Sequence, residues 1–118
     1  MIELRKNVRY TTLARAKING LYEGEALLKD ISVTGCRLEF TAAIAFGPNE
    51  SFLITVFPES KSDIAVFEIE ASPLWSRANY DSFEVGFTIL SSPRGRAFLR
   101  YVDYLAWVSG GKEKIDAN

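Results

Sequence analysis

Apolar and polar residues alternate through the middle of the chain. Ala14, Ala16 and Ile18 interleave with Arg15 and Lys17, and Cys36, Leu38 and Phe40 with Arg37, Glu39 and Thr41. Ala65, Phe67, Ile69 and Ala71 interleave with Val66, Glu68 and Glu70, and Phe83, Val85, Phe87 and Ile89 with Glu84, Gly86 and Thr88. A period of two puts every second side chain on one face of a strand, so each segment predicts one dry and one wet face. The stretch FLITVF at 52–57 is apolar on nearly both faces and predicts a central or strongly curved strand. Counting 24–30 as one more gives six strands. Turn-forming residues separate them at 20–24, at Gly47-Pro48-Asn49, at 58–63 and at 79–82. Six short strands with one dry face each favour closure, because an antiparallel barrel buries that face and removes the edges. An open two-layer sandwich satisfies the same alternation, which does not separate the two.

The period then changes. SSPRGRAFLRYVDYLAWVSGG reads as a helix over 92–109, with Ser92 as N-cap, Pro93 at the first helical position, and Gly110 and Gly111 as the stop. Phe98, Val102, Leu105 and Ser109 form one stripe, flanked by Leu99, Tyr101 and Ala106. This places the helix across a barrel mouth or outer face. Tyr101, Tyr104, Trp107 and Val108 widen the apolar surface, either to cover the barrel or to meet a partner protein or a second copy in a homodimer. The end, KEKIDAN, reads as a tail.

Length and composition narrow the chemistry. At 118 residues the chain fits one domain and can bury roughly 65% of its extended surface. The division is a basic arm at 1–12, a barrel at 13–90, a helix at 92–109 and a tail at 111–118. Cys36 is the sole cysteine and there is no histidine. That removes a disulfide framework, thiol or imidazole metal sites and histidine-based catalysis. No metal, no cofactor and no catalytic residue is expected, and the chain does not read as an enzyme. With no long apolar run and no basic-then-apolar leader, it reads as a soluble, cytoplasmic protein without membrane insertion.

Charge is unevenly placed. Residues 1–20 hold Arg5, Lys6, Arg9, Arg15 and Lys17 against Glu3 alone, a net +4, while the whole chain is at −1. A basic arm on an acidic body predicts an acidic partner; a merely solvated terminus is the bland alternative. The stretch DISVTG at 30–35 offers a complement. Asp30 and Ser32, two apart, point the same way if the strand stays extended, and Gly35 permits a tight turn or bulge of positive φ. A carboxylate suits the N1–H and amino donors of a guanine edge, and arginine forks suit its acceptors and phosphates. A simple Asp/Ser/Gly turn is the alternative use of these residues.

The pairing of Arg5-Lys6-Asn7-Val8-Arg9 with Asp30-Ile31-Ser32-Val33-Thr34-Gly35, 21 residues after Arg9, resembles a PilZ domain, the bacterial receptor module for cyclic diguanylate (c-di-GMP). Pro73-Leu74-Trp75 followed by Phe83-Glu84-Val85-Gly86-Phe87 is similar to that family's late strands. The resemblance covers about residues 3–108. It implies an all-β fold, a six-stranded antiparallel split barrel with a C-terminal α-helix. It further implies that Arg5 and Arg9 lie on a loop that closes over the ligand and grip guanine and phosphates. Asp30 and Ser32 would hydrogen-bond the guanine, and Gly35 would shape the turn. For Trp75, supporting the site and filling the core are both open. Leu4 holds the position where, in the family, an apolar residue favours one bound dinucleotide over a stacked pair. Lys6 stands where many members carry a second adjacent arginine, which bears on stoichiometry or affinity.

The function implied is a second-messenger receptor whose arm orders on binding and signals to a downstream protein. The alternatives are a degenerate PilZ-like interaction domain that binds no nucleotide, a barrel for single-stranded nucleic acid, and a flavin enzyme. The second of these wants aromatic and basic residues interleaved on exposed strands, whereas here the polar faces carry many glutamates, so no nucleic acid polymer is expected. The third wants more length and a phosphate loop.

Overall fold

The computed structural model describes residues 8–92 and 96–117. Its strands are β1 (Tyr10–Thr11), β2 (Arg15–Ile18), β3 (Ala26–Ile31), β4 (Gly35–Phe40), β5 (Phe52–Phe57), β6 (Phe67–Ala78) and β7 (Phe83–Ser91), followed by helix α1 (Arg96–Ala117). The order β3-β2-β5-β6-β7-β4 closes on itself through the β3–β4 pairing, and every pairing is antiparallel. The result is a six-stranded closed barrel. β1 and β2 lie along the same edge of β3, so the chain entering the barrel pairs first with the end of β3 and then with its beginning. The sandwich alternative is thereby excluded.

The alternation in the sequence becomes the inside and outside of this barrel. Ala16, Ile18, Leu28, Leu38, Ile54, Val56, Ile69, Val85 and Phe87 are buried in one core. Full burial of a side chain of the size of leucine or phenylalanine contributes roughly 1.5–3 kcal/mol, so the dry faces supply the driving force. In β6 the alternation begins two residues later than the pattern suggests: Ala65 and Val66 are exposed and precede the strand. The strand also runs on through Pro73 to Ala78, with its register shifted between Pro73 and Trp75. A proline has no N–H to give to the ladder and is accommodated at such an irregularity.

Helix α1 closes the barrel end where β3 and β7 finish and β4 and β6 begin. Phe98, Tyr101, Val102 and Leu105 are buried, and Phe67 at the start of β6 meets the rings of Phe98 and Tyr101 at 5.9 and 5.8 Å. The Tyr101 hydroxyl donates to Glu59 Oε1 at 2.7 Å. Tyr101 therefore covers the barrel, while Trp107, 73% exposed, does not.

Both predicted helix ends are corrected. The helix begins at Arg96, and the Ser92 hydroxyl donates to the Glu68 carbonyl of β6 at 2.6 Å. Pro93 lies outside the described residues. At the other end the helix continues through Gly110 and Gly111 to Ala117, over the stretch read as a tail. Glycine weakens a helix by up to about 1 kcal/mol, but it ends one only where the backbone turns left-handed. No described helix is long and apolar enough to cross a membrane.

Candidate functional site

A β-bulge creates the site. In β3 the register runs Leu28↔Leu38 and then Asp30↔Arg37, leaving Lys29 as an extra residue. An uninterrupted strand would point Asp30 inward, with Ala26 and Leu28. The extra residue reverses the parity, so Ile31 faces the core and Asp30 the outer surface. Across the neighbouring strands Asp30 is opposite Arg37 in β4, Arg37 is opposite Gly86 in β7, and Gly86 is opposite Trp75 in β6. These four residues make a row over the outside of the barrel.

Charge links the row to the arm. Arg9 Nη1 donates to Asp30 Oδ1 at 3.0 Å, and Arg37 Nη2 lies 3.0 Å from Asp30 Oδ2. Arg37 Nη1 reaches Glu84 Oε1 at 3.5 Å, which also accepts from Arg77 Nη2 at 2.6 Å. Three guanidiniums thus share two carboxylates, an excess of positive charge on this face. Glu84 lies on the outer face of β7 yet is buried beneath its partners. Burial raises its carboxyl pKa, but the Arg77 hydrogen bond and the charges of Arg37 and Arg77 outweigh that and hold it below its ordinary value.

Trp75 lies against Gly86, where any side chain would run into its indole ring. The Arg77 guanidinium carbon is 5.7 Å from the centre of that ring, a cation–π distance. At 40% exposure Trp75 is no core residue. Of its two expected uses, supporting the site and filling the core, that position excludes the second.

Ser32 and Gly35 differ from expectation. The strand ends at Ile31, so the rule that places residues two apart on one face stops before Ser32. Ser32 turns inward, 1% exposed, and its Oγ accepts from the Thr34 and Gly35 N–H groups, each at 3.1 Å. Its own N–H donates to the Gly35 carbonyl at 2.8 Å. The hydroxyl thus builds the β3–β4 turn. Gly35 has no positive φ. What it supplies is space: a Cβ there would meet the Phe87 carbonyl oxygen at 2.8 Å and Arg9 Nη2 at 3.0 Å.

Leu4, Arg5 and Lys6 lie outside the described residues. The remaining expected residues, Arg9, Asp30, Ser32, Gly35 and Trp75, gather in one region. Arg37, Arg77, Glu84 and Gly86 belong to it as well and were missed, because alternation alone marks them as ordinary wet-face positions. Cys36, beside Arg37, faces the core. Burial, opposed by Arg9 and reinforced by Asp30, pushes its thiol up to about 12, so it is no ligand at neutral pH. Arg9 also borders a groove of about 730 Å³ between β1 and α1, lined in part by Leu13, Lys61, Tyr104 and Trp107. No family model matches the chain, and no curated protein matches it.

Proposed function

We propose that this protein is a cyclic diguanylate receptor of the PilZ type, acting through a downstream protein. One observation carries the reading. Arg9 and Asp30, drawn from two segments 21 residues apart in the sequence, meet at 3.0 Å, with Gly35 beneath the guanidinium. A carboxylate fixed beside two arginines, with an indole farther along the same face, is chemically suited to a guanine edge, a phosphate and a base plane. The six-stranded barrel with its C-terminal helix is consistent with that family's architecture.

In this reading Arg9, with Arg5, grips phosphate and base, and Asp30 accepts from the guanine edge. Ser32 and Gly35 act by shaping the turn beneath them. Trp75 and Lys6 support the site, and Leu4 limits it to one dinucleotide. A dianionic ligand offsets the mutual repulsion of the arm's cations and orders the arm against the barrel. Because Arg9 borders both the charged face and the groove beside α1, its movement alters the surface offered to a protein partner. No chemical reaction is assigned.

A second reading has one observation in its favour. Both Asp30 oxygens and the Ser32 hydroxyl are already bonded within the chain, as a degenerate PilZ-like interaction domain without a nucleotide would have them. Calorimetric titration with cyclic diguanylate, with Arg9→Ala as control, separates the two. Saturable binding in the micromolar range or tighter, lost in the variant, supports the receptor, and one dinucleotide per chain supports the role of Leu4. Absence of both heat and chemical-shift change at high ligand supports the interaction domain.

A further inference from the structure

The Asp30 carboxylate is bound twice, by two arginines in different situations. Arg9 precedes β1 and its side chain is 44% exposed. Arg37 sits within β4, directly opposite Asp30, with its side chain 29% exposed and in contact with Glu84 as well. Its Nε is buried without an acceptor. An unmet buried N–H is costly, and the close contact that offsets it is the one to Asp30 at 3.0 Å, with Glu84 farther off at 3.5 Å. Glu84 is fixed in turn by Arg77 at 2.6 Å.

We infer that Arg37 is a permanent clamp on Asp30, and that Arg9 is a replaceable occupant of the same carboxylate. Resting on the receptor reading, this assigns a positioning residue and an order of events to that site. Arg9 gives Asp30 a single N–H, at Oδ1, and the N1–H or amino group of a guanine edge is a donor that can replace it there. The base can therefore take over from Arg9 at Oδ1 without leaving Asp30 unsatisfied. Arg9, released, is free for phosphate. Arg37 stays on Oδ2 throughout and keeps the carboxylate aimed outward. The ligand-free carboxylate is thus occupied by Arg9, and binding is an exchange at that one position.

The test uses full-length protein carrying Arg37→Met or Arg37→Lys, with thermal melts to establish that each is folded. Arg37→Met is expected to bind cyclic diguanylate about tenfold more weakly or worse, the scale of losing a charged hydrogen bond. Arg37→Lys, which keeps one charged contact, recovers part of that loss; if the methionine variant does not fold, the lysine variant must itself show a measurable loss. In ligand-free protein the Arg9 Nε–Hε resonance, assigned with Arg9→Lys, is expected to move toward the free-arginine position when Arg37 is methionine. Wild-type affinity in a folded Arg37→Met protein, or an unmoved Arg9 resonance, overturns the clamp. Should wild-type protein bind no dinucleotide, the receptor reading fails, and the Arg9 resonance alone decides whether Arg37 holds Asp30.

Discussion

The Arg9 guanidinium occupies space that a side chain on Gly35 would need. A Cβ at position 35 would stand 3.0 Å from Arg9 Nη2 and 2.8 Å from the Phe87 carbonyl oxygen. The first contact can be relieved by moving a long side chain, but the second is with backbone in the barrel wall. Gly35→Ala should therefore do two separable things. It should cost about 1–3 kcal/mol of stability, as overpacking does, and it should displace Arg9 from Asp30. Chemical denaturation measures the first, and the Arg9 Nε–Hε resonance the second. Unchanged stability and an unmoved resonance would show that the turn yields without consequence.

Trp75 depends on Gly86 in a similar way, but the group that would give way is the indole itself. Gly86→Ala is expected to lift the ring from the barrel wall, away from Arg77, with a stability cost of about 1 kcal/mol. Trp75 and Trp107 are the two tryptophans of the chain, so a Trp107→Phe background isolates the signal. Emission should shift to the red on Gly86→Ala, and a spectrum identical to the parent would contradict the arrangement.

Glu84 predicts an acid-sensitive contribution to stability. Its pKa in the folded protein lies below the ordinary 4.5, burial being outweighed by Arg77 and Arg37. A carboxylate whose pKa falls on folding stabilises the native state fully above the unfolded value, and that contribution is lost as pH falls through the folded value. The melting temperature of wild type should thus exceed that of Glu84→Gln at pH 7, and the gap should close as pH is lowered below about 4.5. A gap independent of pH would mean that Glu84 acts through packing rather than charge.

Cys36 should be inert while the barrel is intact. With its thiol pushed up to about 12, chiefly by burial, almost no thiolate exists at pH 8, and the sulfur is inaccessible. Alkylation should proceed at the rate of global unfolding and accelerate in parallel with denaturant-induced unfolding. Rapid modification of the native protein would indicate that the β3–β4 side of the barrel opens locally.

Much of the barrel could be read from alternation, because burial of one face is a local property of a strand. Ala16 and Ile18, Leu38 and Phe40, and Val85 and Phe87 face inward as their period requires. The failures have physical reasons. Ala65 fits the period but precedes the strand, since a small residue at a strand end carries little burial energy. Gly110 and Gly111 stand where a stop is common, but nothing in the residue compels one. Of the four helix residues for which covering the barrel and meeting a partner were both open, Tyr101 is drawn into the core because its ring fills space beside Phe67 and its hydroxyl finds Glu59.

Residue order alone shows which residues could be dry, where the chain turns, and that an arginine-bearing arm precedes an Asp-x-Ser-x-x-Gly stretch. These follow from side-chain polarity and local backbone preference. That Asp30 faces outward emerges only on folding, since it depends on one extra residue in β3 relative to β4. The same holds for the inward turn of Ser32, and for the network in which Arg37, Arg77 and Glu84 join Arg9 and Asp30. Register between strands is set by the closure of the whole barrel, and residues far apart in the chain become neighbours only once that register is fixed.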